Sequence, residues 1–122
     1  MGNPYEAYIK TDVMTASPVK QIVLLYERAI LSLKQAIEDI KNNDIKSKVN
    51  NIQKATDIIL ALDSALDMEK GGEIAQNLRD LYRFSYQQIL LAHTKNDTEK
   101  LEDIIEILET LKSGWEELEQ KI

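Results

Sequence analysis

The chain contains no cysteine, which removes disulfides, thiolate zinc sites, iron–sulfur ligation and cysteine nucleophiles. One histidine in 122 residues cannot supply a di-iron site of the Glu-x-x-His kind or sustain a histidine-rich metal site. It also makes an ordinary Ser-His-Asp constellation a poor reading. Glycine is scarce as well, with four in the chain. The pair Gly71-Gly72 runs into acidic Glu73 and lacks the lysine and hydroxyl of a phosphate-binding loop. No window approaches the roughly 18 uncharged apolar residues of a membrane span. Met1 to Lys10 also lacks the cationic start and apolar run of a secretory signal. Positive charge is short too: 15 Lys and Arg against 21 acids leave a net −6, which argues against a phosphate-backbone binder. No enzyme activity, cofactor, metal, nucleic acid or membrane insertion is therefore expected. The missing cysteines are consistent with a reducing cytoplasm.

What is present points to helices. The chain is 43% apolar and 30% charged, with only two prolines. Its length suits a single domain over 1–122, able to bury about two thirds of its unfolded surface without a staple. Ser17-Pro18 reads as an N-cap with Pro at the first helical position. Asn42-Asn43-Asp44 interrupts the apolar pattern and offers Asp44 or Asn43 as the next cap. Gly71-Gly72 and Asn96-Asp97 mark two further breaks, and Asn96 with Glu99 has the spacing of a capping box. These signals predict helices near 18–41, 44–69, 73–94 and 97–121.

Each segment carries the i, i+3, i+4, i+7 apolar repeat. The stripes are Ile22, Tyr26, Ala29, Leu33, Ala36 or Ile37, and Ile40; then Ile45, Val49, Ile52, Thr56, Ile59, Leu62 and Leu66. The third and fourth are Ile74, Leu78, Leu81, Ser85, Ile89 and Ala92, and Leu101, Ile104, Leu108, Leu111, Trp115, Leu118 and Ile122. At ~1.5 Å per residue each helix is roughly 33–38 Å long, too long for short turns to cross. Neighbours must run antiparallel. The expected fold is all-α, an antiparallel up-down-up-down four-helix bundle over 17–122. A short N-terminal helical cap and linker occupy 1–16, where Asn3-Pro4-Tyr5-Glu6 is a compact helix start and Tyr5, Tyr8 and Ile9 share one face. So short a helix needs a surface to dock on.

Chemistry-bearing residues are few. His93 could accept a phosphoryl group, but it sits at a helix end followed by bulk and charge, where interaction with the last carbonyls explains it. Pairs such as Glu38/Asp39, Asp63/Asp67 and Glu116/Glu117 read as helix-surface charge. The last segment, 98–122, holds eight acids against three lysines, which suits a solvated face or the steering of a basic partner.

The sharper signal is apolar excess. The run Ile58-Ile59-Leu60-Ala61-Leu62, then Ala65-Leu66, is wider than one seam requires. Phe84 and Leu91 form a second stripe on the third helix, and Leu24 and Leu31 one on the first, almost opposite the core. Wide core faces, isolated surface residues, a homodimer contact and an exterior groove all accommodate this pattern. A groove would use Ile58, Leu62, Ala65, Leu66, Phe84 and Leu91, with Tyr5, Tyr8 and Ile9 as its lid.

The segments Asn3-Pro4-Tyr5-Glu6-Ala7-Tyr8 and Thr15-Ala16-Ser17-Pro18, leading into Ile22-Val23-Leu24-Leu25-Tyr26-Glu27-Arg28-Ala29, resemble the flagellar secretion chaperone FliS family. Glu69-Lys70-Gly71-Gly72-Glu73-Ile74-Ala75, Leu78, Leu81-Tyr82, Lys95-Asn96-Asp97 and Trp115 extend the resemblance over essentially the whole chain. It implies a cytoplasmic bundle that binds the C-terminal segment of flagellin on hydrophobic surface. That binding would prevent premature polymerisation and aid flagellar type III export, with components of the export apparatus as further partners. It also implies that the N-terminal segment covers part of that surface when flagellin is absent. The competing function is a helical homodimerising adaptor, and the expected free state is a monomer or weak homodimer.

Overall fold

The computed structural model describes residues 18–121. The expected cap residues Tyr5, Tyr8 and Ile9, the cap Ser17 and the last stripe residue Ile122 lie outside the described residues. Four helices follow in order: α1 (Pro18–Lys41), α2 (Ile45–Ser64), α3 (Met68–Lys95) and α4 (Thr98–Lys121). Each packs on its neighbours in chain order, and α4 closes the ring against α1. The diagonal pairs α1/α3 and α2/α4 share no close backbone approach. The result is the antiparallel up-down-up-down bundle. Packing is densest on the two sides of α1 and sparsest where α3 meets α4.

The turns show how local chemistry stops each helix. Asn43 takes a left-handed conformation at φ 56°, and Asp44 caps α2 by accepting the Ser47 N–H at 3.1 Å. Asn96, at φ 51°, ends α3 in the same left-handed way. The Asp97 N–H reaches back to the Ala92 carbonyl at 2.9 Å, while the Asp97 side chain accepts the Lys100 N–H at 3.0 Å. The capping box expected from Asn96 and Glu99 is therefore absent, because Asn96 belongs to the preceding helix and Asp97 opens the next.

The second turn departs further from expectation. Helix α2 stops at Ser64 rather than near 69, and Asp67 caps a new turn by accepting the Lys70 N–H at 2.9 Å. Gly72 then kinks α3 with φ 51° and ψ −128°. That pairing of angles is open in practice only to glycine, so Gly72 bends a helix already under way.

The core comprises Tyr26, Leu33, Ile59, Tyr82, Ile89, Leu101, Ile104 and Leu108, all at most 2% exposed, with small residues Ala29, Ala36, Ala55 and Ala92 between them. Most stripe positions face inward as expected. Ile45, Val49, Ile74 and Leu118 are exposed instead. All four lie near helix ends, where the bundle has no further layer to cover them. Lys48, not Val49, turns inward on the first turns of α2. Tyr82, outside the expected stripe, is a central core residue.

Candidate functional site

The bundle end formed by the start of α1, the α2–α3 turn and the last part of α4 is open and apolar. A depression of about 400 Å³ lies there. Its walls include Leu62, Ala65 and Leu66 of α2, Ile74 and Leu78 of α3, and Ile22 and Trp115, with Tyr82 at its base. The early stop of α2 and the kink at Gly72 create this mouth. They set Ile74 beside the opening, 73% exposed, instead of in the core. Gly71 approaches closely too: a Cβ there would meet Ala75 Cβ at 2.6 Å. Asp67 and Lys70 supply the charge at the rim.

Below the mouth, Tyr26 and Tyr82 share a buried hydrogen bond between their hydroxyls. Burial raises both phenols above their usual titration range. They stay neutral and act as a polar pin in an apolar interior.

Helix α3 is poorly covered along its length. Phe84 and Leu91 are 48% and 45% exposed, on the stripe expected from their spacing. Leu81 beside them lines a shallow groove against Ile107 and Leu111 of α4. On the opposite flank, Leu60, Arg83 and Tyr86 border a depression between α2 and α3. There Arg79 Nε donates to Asp63 Oδ1 at 3.1 Å.

The six residues expected to form one groove are thus distributed over three environments. Ile58 and Leu62 are 7% and 3% exposed and belong to the core cluster. A helix in a square bundle has two neighbours, so its buried arc extends to flanks that a single-seam reading leaves open. Leu62 still contributes a wall of the mouth together with Ala65 and Leu66. Phe84 and Leu91 lie elsewhere, on the outside of α3. Tyr82, Trp115, Ile22 and Leu78 line the mouth without having been singled out as site residues. For Trp115 and Ile22 the usable signal was their place near the ends of the terminal helices, beside the Gly71-Gly72 turn.

The opposite end of the bundle is polar. The largely buried Lys48 Nζ donates to the His93 carbonyl at 3.2 Å and to Asn96 Oδ1 at 2.7 Å. It therefore places a cation at the C-terminal end of α3, on the His93 carbonyl and the Asn96 side chain. His93 does not do so: burial and the nearby Lys48 lower its pKa, and its Nδ1 is buried with no hydrogen-bond partner among the described residues. This corrects the C-terminal role expected for its side chain. Asp39, 3% exposed, accepts from Asn51 Nδ2 at 2.8 Å and Gln35 Nε2 at 3.1 Å. Burial opposes its ionisation, but hydrogen bonds from Gln35, Asn51 and Ser47 outweigh that and hold its pKa below the usual 3.8. Among the described residues no group of three or more His, Asp and Glu could hold a metal ion. No described helix is long and apolar enough to cross a membrane. The mouth and the exposed flank of α3 are the apolar open surfaces of the bundle, of the kind on which another chain can settle.

Comparison with known proteins agrees with that character. A crystal structure of a bacterial flagellar chaperone superposes with a TM-score of 0.80 over 97% of this chain and 96% of that one, at 20% identity, which speaks for the fold. The flagellar secretion chaperone FliS of Vibrio cholerae is 40% identical over 97% of this chain and 90% of its own length. FliSB of Pseudomonas aeruginosa is 38% identical, covering 88% of this chain and 86% of that protein. The FliS of Salmonella typhimurium is 33% identical over 93% of this chain and 84% of its own. Residues 1–122 match the family model described as flagellar protein FliS. A four-helix bundle with an apolar mouth, matched from end to end in this way, belongs to the flagellar protein FliS family.

Proposed function

We propose that this protein binds the C-terminal segment of newly made flagellin in the cytoplasm, keeps it from polymerising early, and assists its delivery to the flagellar type III export machinery. Relatives named flagellar secretion chaperones support the reading. The structural observation that carries it is the exposed apolar surface of α3, with Phe84 and Leu91 about half exposed, together with the mouth beside Ala65 and Leu66.

A disordered segment loses conformational entropy when it settles on a partner, and extended apolar burial must offset that loss. Two apolar regions on one bundle offer a path long enough for such a segment. In this reading Ala65, Leu66, Phe84 and Leu91 touch flagellin, while Ile58 and Leu62 support the surface from beneath. The chain enters α1 at Pro18, just ahead of Ile22 in the mouth wall. Tyr5, Tyr8 and Ile9 would thus serve as a lid over the mouth in the free protein. Deleting residues 1–12 should raise hydrophobic-dye binding, and unchanged dye binding would count against the lid.

Titration calorimetry with the C-terminal segment of the cognate flagellin tests the main reading. A one-to-one exothermic complex with a large negative heat-capacity change is expected from wrapping a disordered chain onto apolar surface. Absence of heat and of co-elution would sink it. A concentration-dependent dimer in sedimentation would then assign the same stripes to a homodimerising adaptor.

A further inference from the structure

Ala75, Leu78, Tyr82, Ser85, Ile89 and Ala92 make the inward face of α3, and all are buried or partly buried. Their spacings alternate between three and four residues, as one face of a straight helix requires. Carried back past Gly72, the same alternation reaches Gly71 and then Met68. A straight α3 would therefore aim Met68 into the bundle, on the face whose Ala75, Leu78 and Tyr82 line the mouth. The kink at Gly72 prevents this, and Met68 is not among the mouth's walls.

Two neighbouring glycines serve the kinked form and only that form. At Gly72 the demand is torsional. Its φ of 51° and ψ of −128° suit glycine, while a Cβ there would meet nothing within 4 Å among the described residues. At Gly71 the demand is steric, since a Cβ would lie 2.6 Å from Ala75 Cβ. In a straight helix, residues four apart hold their Cβ atoms about 5–6 Å apart, so neither position would need glycine. Helix propensity would then favour alanine at both. The turn ahead of the pivot holds itself together. Asp67 accepts the Lys70 N–H at 2.9 Å through its side chain and the Gly71 N–H at 2.8 Å through its carbonyl. Both are bonds of an ordinary helix start, so they survive in either form and the turn moves as one body.

We propose that the turn 67–71 is a built-in cover for the mouth, pivoting at Gly72 between this open, kinked form and a closed, straight one. In the closed form Met68 fills the apolar space beside Leu78, Tyr82 and Trp115, and the short connection Ala65-Leu66 takes up the movement. A flexible, unbranched thioether suits a cavity that is filled and vacated in turn. The Gly71-Gly72 pair keeps the open form ahead. Any apolar occupant of the mouth competes with Met68, so its apparent affinity scales with the open fraction. The inference concerns the mouth itself and stands whatever occupies it.

The test uses the full chain and two native probes, Trp115, its sole tryptophan, and Met68, its only methionine after Met14. Methyl-labelled methionine shows by NMR whether the Met68 methyl lies against the Trp115 indole. Acrylamide quenching shows how open Trp115 is. Gly71→Ala and Gly72→Ala each favour the straight form, the latter by about tenfold or more. Both should bring up nuclear Overhauser contacts between Met68 and Trp115 and lower the quenching. Gly72→Ala/Met68→Ser should return quenching to the wild-type value, because the helix straightens without its plug. D-alanine at position 72 fits the observed angles, which mirror ordinary extended backbone. It should show no Met68–Trp115 contact and a raised thermal midpoint. The chain has no cysteine, so this variant can be joined through a temporary cysteine at position 65 that is desulfurised back to alanine. If the alanine variants fold and neither brings Met68 to Trp115, the cover does not exist. If only one folds, its Met68 contact decides. If neither folds, no straight form packs and the inference falls equally.

Discussion

The hydroxyl oxygens of Tyr26 and Tyr82 lie 2.5 Å apart at the centre of the bundle. They join α1 to α3, diagonal helices whose backbones do not otherwise approach. Their rings are tilted by 47° with centroids 6.4 Å apart. Two long aromatic side chains thus bridge a distance that aliphatic residues would leave to the core packing alone, and each satisfies a buried polar group of the other.

Removing both hydroxyls should therefore cost less than the two single removals added together. Tyr82→Phe or Tyr26→Phe leaves a buried phenol without this partner, a loss of about 1–3 kcal/mol. The double variant should lose clearly less than the sum of the two singles, a coupling that a urea-denaturation double-mutant cycle reads directly.

Stability should fall at both ends of the pH scale. His93 has a folded pKa below its ordinary 6.5, so the unfolded chain takes up a proton first. The contribution is fully present above pH 6.5 and is lost as pH falls from there toward the folded value. His93→Gln should remove that step. Asp39 gives a second loss below pH 3.8 by the same sign. Tyr26 and Tyr82 titrate above their ordinary 10.0 when folded. The unfolded chain then loses protons first, and stability drops as pH rises past 10. Urea midpoints measured across pH would show all three slopes, and a flat profile between pH 5 and 7 would contradict the role of His93.

Two glycines should respond oppositely to alanine. Gly72 holds φ 51° and ψ −128°, so Gly72→Ala should cost about 1–3 kcal/mol in backbone strain. Gly114 lies within α4, and a Cβ there meets nothing within 4 Å among the described residues. Gly114→Ala should stabilise by about 0.5–1 kcal/mol. Thermal unfolding of the two variants decides, and a destabilised Gly114→Ala would show that α4 needs flexibility there.

Lys48 ties α2 to the end of α3 through the His93 carbonyl and Asn96 Oδ1. Lys48→Met preserves most of the apolar stem but removes both bonds, and should cost about 1–3 kcal/mol. Hydrogen exchange should rise first at the last turn of α3 and at Asp97, with the core of α1 little changed. Uniformly faster exchange across the bundle would mean that the lysine acts on global rather than local stability.

Much of the molecule was determined by sequence alone. Apolar spacing of three and four residues, with Asn42-Asn43-Asp44, Gly71-Gly72 and Asn96-Asp97 as breaks, suffices for four helices. Short turns then leave only antiparallel neighbours, because a few residues cannot travel a helix length. The FliS-like blocks from Asn3 to Ala29 likewise carried the family from sequence alone. Tertiary structure decided which flanks are covered. Ile58 and Leu62 are core because α2 has neighbours on two sides, whereas Phe84 and Leu91 stay open because α3 is the least covered helix. It also decided the end of α2, where Asp67 starts a new turn before Gly72 kinks the chain and opens the mouth. Periodicity reports the direction a side chain points from its own helix. Whether another surface meets it there depends on how all four helices pack.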